Sequence, residues 1–507
     1  MLAGADTIFA PATAAGRAAI AVLRLSGPDA ARAVTALAGE LPPPRSVRRR
    51  RLADPETRDP LDDALVLWFP APASFTGEDV AELHLHGSRA VLSAVTDVLR
   101  GLGLRLAEPG EFTRRAFLNG KLDLTQAEAI ADLTAAETEA QRRQALRQLD
   151  GELGLLYCGW AHRLTRILAH LEAAIDFPDE DLPATIEGTI VAETRALAGE
   201  ISRHLADGRR GERLRDGITV AIVGPPNAGK SSLLNRIAGR EAAITSPHPG
   251  TTRDIVEVAI DLAGYPVVLA DTAGLRDSTD PVEQEGVRRA RRRAADAEIR
   301  LFVFDARHPA DAAGAAAWPG PDTLLLANKT DLLSALDPDG VHAAAELSGS
   351  APRERCPRPD IVMPGLDPGI RETGTDAADG DQDVDARGSC RWAEGPRDKP
   401  GHDDRGGPLT ALPVCALTGD GLDALLKALG ARIAAAYRSE APLLTRARHR
   451  QALEDAAAAL GRALAADLPE LRAEDLRLAL RSLGHITGAV DVDDLLDIIF
   501  RDFCLGK

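Results

Sequence analysis

A lysine, a serine, an aspartate and an asparagine–aspartate pair carry the most legible chemistry in this chain. Residues 224–231 read Gly224-Pro225-Pro226-Asn227-Ala228-Gly229-Lys230-Ser231, directly behind the apolar run Ile218–Val223. Strand, glycine loop and helix start, in that order, are the setting of a phosphate-binding loop. The amides from Gly224 to Lys230 would cradle a β-phosphate, and the helix N-terminus would add its dipole. Lys230 would bridge the β- and γ-phosphates, and Ser231, followed by Ser232, would ligate Mg²⁺. In Asp271-Thr272-Ala273-Gly274 the carboxylate would hold the metal through water, and the Gly274 amide would sense the γ-phosphate. Thr251 and Thr252 stand where a switch loop must reach phosphate and metal, Thr252 being the stronger candidate. Asn328-Lys329-Thr330-Asp331 and Cys415-Ala416-Leu417 complete the set. The Asp331 carboxylate would accept from N1–H and the exocyclic amine of guanine, which adenine does not offer together. One glycine loop arises by chance; an ordered set of four motifs predicts a GTP site.

Hydrolysis also needs a positioned water. Many GTPases place a glutamine directly after the aspartate–glycine motif. Here the position is Leu275, which cannot hydrogen-bond water. Glu283, further along, either positions the water through a second water or is an ordinary solvated residue. No arginine is placed by sequence to act as a finger. Asn227, with main-chain groups around Ser246, His248 and Thr251, would hold a monovalent cation such as K⁺ in its place. Equally, Asn227 would only cap a turn.

These residues need a frame. The 507 residues suffice for roughly three domains. Residues 1–120 mix strand-like runs (Ile20–Leu25, Ala64–Phe69, Ala81–His86) with a helix over Ala90–Arg100, an α+β pattern. Residues 121–215 are helical, with a break at Asp176–Pro183, and 438–507 are helical again. Residues 216–437 alternate strands and helices, predicting a doubly wound, Ras-like α/β domain. This α/β unit therefore reads as an insertion into a discontinuous helical domain. Residues 349–408 are rich in Pro, Gly, Asp and Arg, lack periodicity, and read as a disordered insertion.

Composition narrows the partners. The net charge of -17 excludes a surface that binds nucleic acid everywhere but permits a local basic patch. Arg48–Arg51 and Arg288–Arg293 read first as solvated faces, and second as contacts to an RNA backbone. Five scattered cysteines without a CxxC pair indicate neither a disulfide framework nor a zinc site. His84 and His86 share a strand face but lack a third metal ligand in a recognisable spacing. No apolar run reaches membrane-span length, and no secretion signal is evident, so a cytoplasmic chain without stable membrane insertion is expected.

Taken together the motifs resemble those of the MnmE/TrmE family of tRNA uridine-5-carboxymethylaminomethyl modification GTPases. The likeness runs through Gly77-Glu78-Asp79, Glu82, His84-Leu85-His86-Gly87, Gly110–Lys121 and Leu122–Ala129, then the phosphate loop with Asn227, Thr251–Asp254 and Asp271–Arg276. It ends at Phe503-Cys504-Leu505-Gly506-Lys507. The resemblance implies that residues 1–120 bind folate and hold a constitutive homodimer. It implies GTPase activation by K⁺-dependent pairing of G domains, with Asn227 as a cation ligand and Glu283 as the catalytic glutamate. It implies a flavoprotein partner, MnmG/GidA, carrying FAD in a heterotetramer. Together the two would add an aminomethyl or carboxymethylaminomethyl group at C5 of the tRNA wobble uridine. The carbon would come from a methylene- or formyl-tetrahydrofolate, and GTP hydrolysis would drive conformational change. Arg17, Glu82 and Lys121 would surround the folate. Cys504 matches a cysteine required for modification, with Lys507 near enough in sequence to lower its pKa; on its own residue type it is a small buried hydrophobe.

Three departures stand out. Ala14-Ala15-Gly16-Arg17-Ala18-Ala19 replaces a proline- and glycine-rich loop, Cys415 replaces the usual serine, and the 349–408 insertion is atypical. A competing class is a ribosome-assembly or RNA-binding regulatory GTPase that makes no covalent change. Such proteins append a KH-type module or a second G domain, and neither is evident here. A stress or membrane-associated regulatory GTPase with folate as effector is a third class. The N-terminal segment and Cys504 favour modification over both.

Overall fold

The computed structural model describes residues 6–176, 185–207, 209–240, 257–271, 292, 294–318, 322–333, 411–438, 443–490, 496, 499, 500, 503 and 506. The 349–408 insertion, Thr251, Thr252, Gly274, Glu283 and Cys504 lie outside these residues.

The N-terminal sheet contains β1 (Ile8–Pro11), β2 (Ile20–Ser26), β3 (Val47–Ala53), β4 (Pro60–Phe69), β5 (Val80–His86) and β6 (Arg105–Leu106) in the order β3-β4-β5-β2-β1-β6. Only the β1–β6 pair is parallel. Alternation puts Leu23, Leu25, Leu83 and Leu85 into a core with α1 (Ala30–Ala38) and α2 (Arg89–Gly101). Arg24, Glu82 and His84 stay half-exposed. The run Arg48–Arg51 forms most of β3, an edge strand whose charges discourage pairing with other chains. Its lack of apolar alternation is why the sequence does not show it as a strand.

Helices α3 (Glu111–Leu118), α4 (Leu124–Ala135), α5 (Glu139–Leu149), α6 (Glu152–Asp176), α7 (Thr185–Leu205) and α8 (Arg210–Asp216) follow. Capping boxes start α4 at Asp123/Gln126 and α5 at Thr138/Gln141. The second sheet contains β7 (Ile218–Val223), β8 (Glu257–Leu262), β9 (Tyr265–Asp271), β10 (Ile299–Asp305), β11 (Thr323–Asn328) and β12 (Leu412–Pro413), in the order β12-β11-β10-β7-β9-β8. All pairs are parallel except β8–β9. Its strands β7, β10 and β11 are buried almost continuously, as expected where helices cover both faces. Helices α9 (Lys230–Arg240) and α10 (Leu422–Tyr437) pack on it.

Beyond the α/β unit, α11 (Ala447–Ala465) and α12 (Pro469–Thr487) return to α6 and α7. Leu164, Ile167 and Leu197 share one core with Leu453, Leu460 and Leu476, so two distant stretches build a single helical core. A buried polar network ties the stretches together. Arg448 grips both carboxylate oxygens of Glu128 at 2.6 and 2.8 Å, His449 Nε2 lies 2.9 Å from the same group, and Arg446 pairs with Asp132 at 2.6 Å. Leu496, Phe500 and Phe503 pack beside Leu124 and Ala127, returning the C-terminal segment to the N-terminal side.

Candidate nucleotide site

The site forms at the carboxyl ends of parallel strands, where open α/β sheets place their ligands. Gly224 ends β7 at φ 142°, and a methyl there would collide with the Val303 carbonyl. Gly229 (φ 93°) is as constrained, because a methyl would strike the Asn328 amide. Asn227 also occupies left-handed space (φ 59°), which asparagine tolerates better than most residues. The loop is thus pressed between β10 and β11, and its residue types follow from that.

The Lys230 ammonium lies over the loop, donating to the carbonyls of Gly224 at 3.0 Å and Pro225 at 2.9 Å. Burial pushes its pKa down, and Asp271 opposes the shift. Strand register sets Asp271 beside Ile222 on the neighbouring strand. The Ser231 hydroxyl donates to the Asp271 carboxylate at 2.6 Å. This pair offers the hard oxygen donors that Mg²⁺ takes, supplemented by phosphate and water.

Asn328 is 1% exposed, with both ends of its amide engaged. Its Nδ2 donates to the Ala228 carbonyl at 2.8 Å, and its Oδ1 accepts from the Ala416 amide at 3.0 Å. It therefore struts the phosphate loop against the last motif, and the exposed Asp331 carboxylate, held at one oxygen, is the group that remains for a base edge. Cys415 takes the hydroxyl's place: its Sγ donates to Asp331 Oδ1 at 3.0 Å and accepts from the Thr418 amide at 3.3 Å. Sequence reading missed Asp305. It sits opposite Asn328 in the β10–β11 register and receives Lys329 at 2.9 Å and Arg307 at 2.7 Å. The Arg307 hydrogen bond, helped by Lys329, holds its carboxyl well below the usual range. Its sequence signal is a carboxylate at the carboxyl end of a buried parallel strand. Lys230, Ser231, Asp271, Asn328, Asp331 and Cys415 thus converge. Ser232 lies in the first turn of α9. Thr272, Ser246, His248, Leu275 and Lys507 fall outside the described residues, with the others named above.

A second polar group lies on the N-terminal sheet. Arg24 faces Glu82 directly across β2 and β5 and pairs with it at 3.0 Å. His84 Nε2 is 3.4 Å from the other Glu82 oxygen. Arg24 also lies over the Phe75 and Phe112 rings, at 5.6 and 5.8 Å, and donates to the Gly506 carbonyl at 3.4 Å. Beneath it, the buried Arg115 binds Glu78, Glu111 and Asp6, and Glu78 accepts from Ser26 at 2.7 Å. Lys121 donates to the Pro72 carbonyl at 3.1 Å, whereas Arg17 is exposed and makes no polar contact among the described residues. Arg17, Glu82 and Lys121 make no direct contact with one another among the described residues, and Arg24, which sequence reading missed, is the direct partner of Glu82.

A P-loop domain with guanine-type specificity motifs, inserted in a helical frame behind an α+β domain, defines a multidomain GTPase. The MnmE helical domain model matches residues 124–504, and the model of the GTP-binding protein TrmE N-terminus matches 7–121. The chain is 54% identical to a tRNA modification GTPase MnmE of Rhodospirillum rubrum, covering 99% of both chains. It is 51% identical to those of Parvibaculum lavamentivorans and Paramagnetospirillum magneticum, covering 99% of this chain and 100% of each relative. The chain belongs to the MnmE tRNA modification GTPase family. Among the described residues no helix is long and apolar enough to cross a membrane.

Proposed function

We propose that this chain is a K⁺-activated GTPase that modifies C5 of the tRNA wobble uridine together with the flavoprotein MnmG/GidA, using a folate one-carbon unit. The observation that carries the nucleotide half is the convergence of Lys230, Ser231 and Asp271 on one side of the loop and Asn328, Asp331 and Cys415 on the other. With GTP and Mg²⁺ bound, Lys230 moves from the Gly224 and Pro225 carbonyls onto phosphate oxygens, and Ser231 and Asp271 hold the metal side. Glu283 orients the attacking water. Asn227 and main-chain groups of the 246–251 loop would hold a K⁺ ion, which would supply the positive charge for which no arginine is placed by sequence.

The folate half rests on the Arg24–Glu82–His84 group. A pterin needs a carboxylate acceptor, and a glutamyl tail needs cations, for which Arg17 and Lys121 are the candidates. The Gly506 carbonyl on Arg24 supports the reading that the cysteine two residues earlier acts at this group. Domain limits of 1–120, 121–215, 216–437 and 438–507, a homodimer joined through the first of these, and action in the cytoplasm complete the proposal.

The test is mass spectrometry of tRNA nucleosides in a host strain lacking the gene. Wild type should restore the C5-modified wobble uridine, and Cys504→Ser should not. Unchanged nucleosides on deletion would overturn the reading. GTP turnover should fall sharply when Na⁺ replaces K⁺; equal rates would remove the cation from the mechanism. Glu283→Ala should abolish turnover while leaving GTP affinity within several-fold.

A further inference from the structure

Helix α5 holds the α/β unit with one end and α4 with the other. At its first turn the Ala140 amide donates to the Gly264 carbonyl, in the turn between β8 and β9, at 2.9 Å. The Ala140 side chain packs against the core of the α/β unit. Gln141 Nε2 donates to the Arg215 carbonyl at 3.0 Å, and Gln144 Nε2 to the Gly211 carbonyl at 3.1 Å. Both acceptors belong to α8, the segment that leads into β7 and the phosphate loop.

The last turn of α5 meets α4. Gln148 is buried; its Nε2 donates to the Thr125 carbonyl at 2.7 Å, and its Oε1 accepts from the Thr445 hydroxyl at 2.9 Å. The Leu149 carbonyl accepts from Gln126 at 3.0 Å. Gln141, Gln144 and Gln148 are three and four residues apart and so share one helix face. Each grips a main-chain carbonyl, so the ends of α5 are tied to backbone and not to mobile side-chain tips. Further along α4, Arg448 holds Glu128 by both oxygens. A displacement at Thr125 would therefore turn the first turn of α4 about that fixed point. That turn carries Leu124, which shares a core with Phe500 and with Phe503, the residue before Cys504.

We propose that α5 is a lever, roughly 16 Å long at 1.5 Å per residue, that carries the nucleotide state of the α/β unit to the C-terminal segment. Gln144 and Gln148 are then positioning residues for the modification, an assignment that rests on the role given to Cys504 above. The hairpin held by Ala140 continues through β9 to Asp271, so a shift of that aspartate on taking up Mg²⁺ reaches α5 through one strand. Rigid elements joined by hydrogen bonds carry such coupling between sites.

The first test needs no variant. Hydrogen exchange of the full chain in K⁺ and Mg²⁺ is compared between GDP and a non-hydrolysable GTP analogue. Protection of the first turn of α4 and of residues 496–503 should differ between the two states; equal exchange would overturn the proposal. In Gln144→Met and in Gln148→Met the difference should disappear. Modification of tRNA should then fall about tenfold, a common size of coupling between sites, with GTP turnover within about twofold. A parallel loss of GTP turnover would overturn the assignment. Contacts in series predict that the double variant is no worse than either single one, whereas losses that multiply would mark two independent structural defects and sink the lever. Thr445→Val should act as Gln148→Met does, and Thr445→Ser, which keeps the hydroxyl, as wild type. If wild type modifies no uridine, the modification reading falls, and the exchange comparison still decides for or against the lever.

Discussion

The two six-stranded sheets assemble polar groups in opposite ways. In the parallel sheet, Lys230, Ser231, Asp271, Asn328 and Asp331 sit at strand ends or just beyond, each next to its own motif. In the mainly antiparallel sheet, Arg24, Glu82 and His84 sit mid-strand and meet only because β2 and β5 pair in one register. The first arrangement leaves local signatures, because each loop must solve its own geometric problem. The second leaves almost none, because a one-residue slip would turn every side chain to the other face.

The largest expected effect tests the frame beneath both sheets. Glu128→Gln leaves Arg448 and its neighbours without a buried counter-charge and should cost about 3–5 kcal/mol in denaturant unfolding at pH 7. Burial pushes the Glu128 pKa up, but His449 and Arg448 outweigh it and hold the carboxyl well below the usual range. Its contribution is therefore complete above the ordinary glutamate pKa, near 4.3, and lost as pH falls below it. Wild-type stability should drop in acid more steeply than that of the variant; parallel curves would show that the network carries no linkage.

Lys230→Ala comes next. GTP kcat/KM should fall by about 10²–10³ with the far-ultraviolet spectrum unchanged. A drop under tenfold would break the idea that the parallel-sheet site is complete in its local motifs. Asp305→Asn sharpens it by removing the charge that holds Lys329, and GTP affinity should fall about tenfold, the worth of one charge-assisted hydrogen bond.

Arg24→Met probes the other sheet. It removes a partly buried ion pair and the contact to Gly506, so thermal stability should fall by about 1 kcal/mol with GTP turnover unchanged. Loss of turnover would show that the two sheets are coupled. Cys415→Ser is the smallest change, because a hydroxyl repeats the same donor and acceptor roles; the GTP KM should stay within about fivefold, since exchanging one donor for another at the same place changes at most ~1 kcal/mol.

The difference between the sheets also explains what could be read in advance. The strand runs at 20–25, 64–69, 81–86 and 218–223 were legible because burial on one or both faces imprints period-two or continuous apolar patterns. β1 and β3 were not: one is four residues long and the other is built around four successive arginines. Asp305 and Arg24 were missed because each acts through a partner supplied by another segment, Lys329 in one case and Glu82 in the other.

By itself the sequence determined the nucleotide chemistry, since a glycine loop, a metal aspartate and a guanine-reading carboxylate are each required by a ligand of fixed shape. It also determined the order of helical and α/β stretches, through hydrophobic periodicity. Only the tertiary structure decided which side chains of the two helical stretches meet in their common core, among them Leu164 and Leu197 with Leu453 and Leu476, that Asn328 is a strut, and that Gly506 returns to Arg24. Those contacts join residues tens to hundreds of positions apart, and their energies depend on register and packing, which no local spacing records.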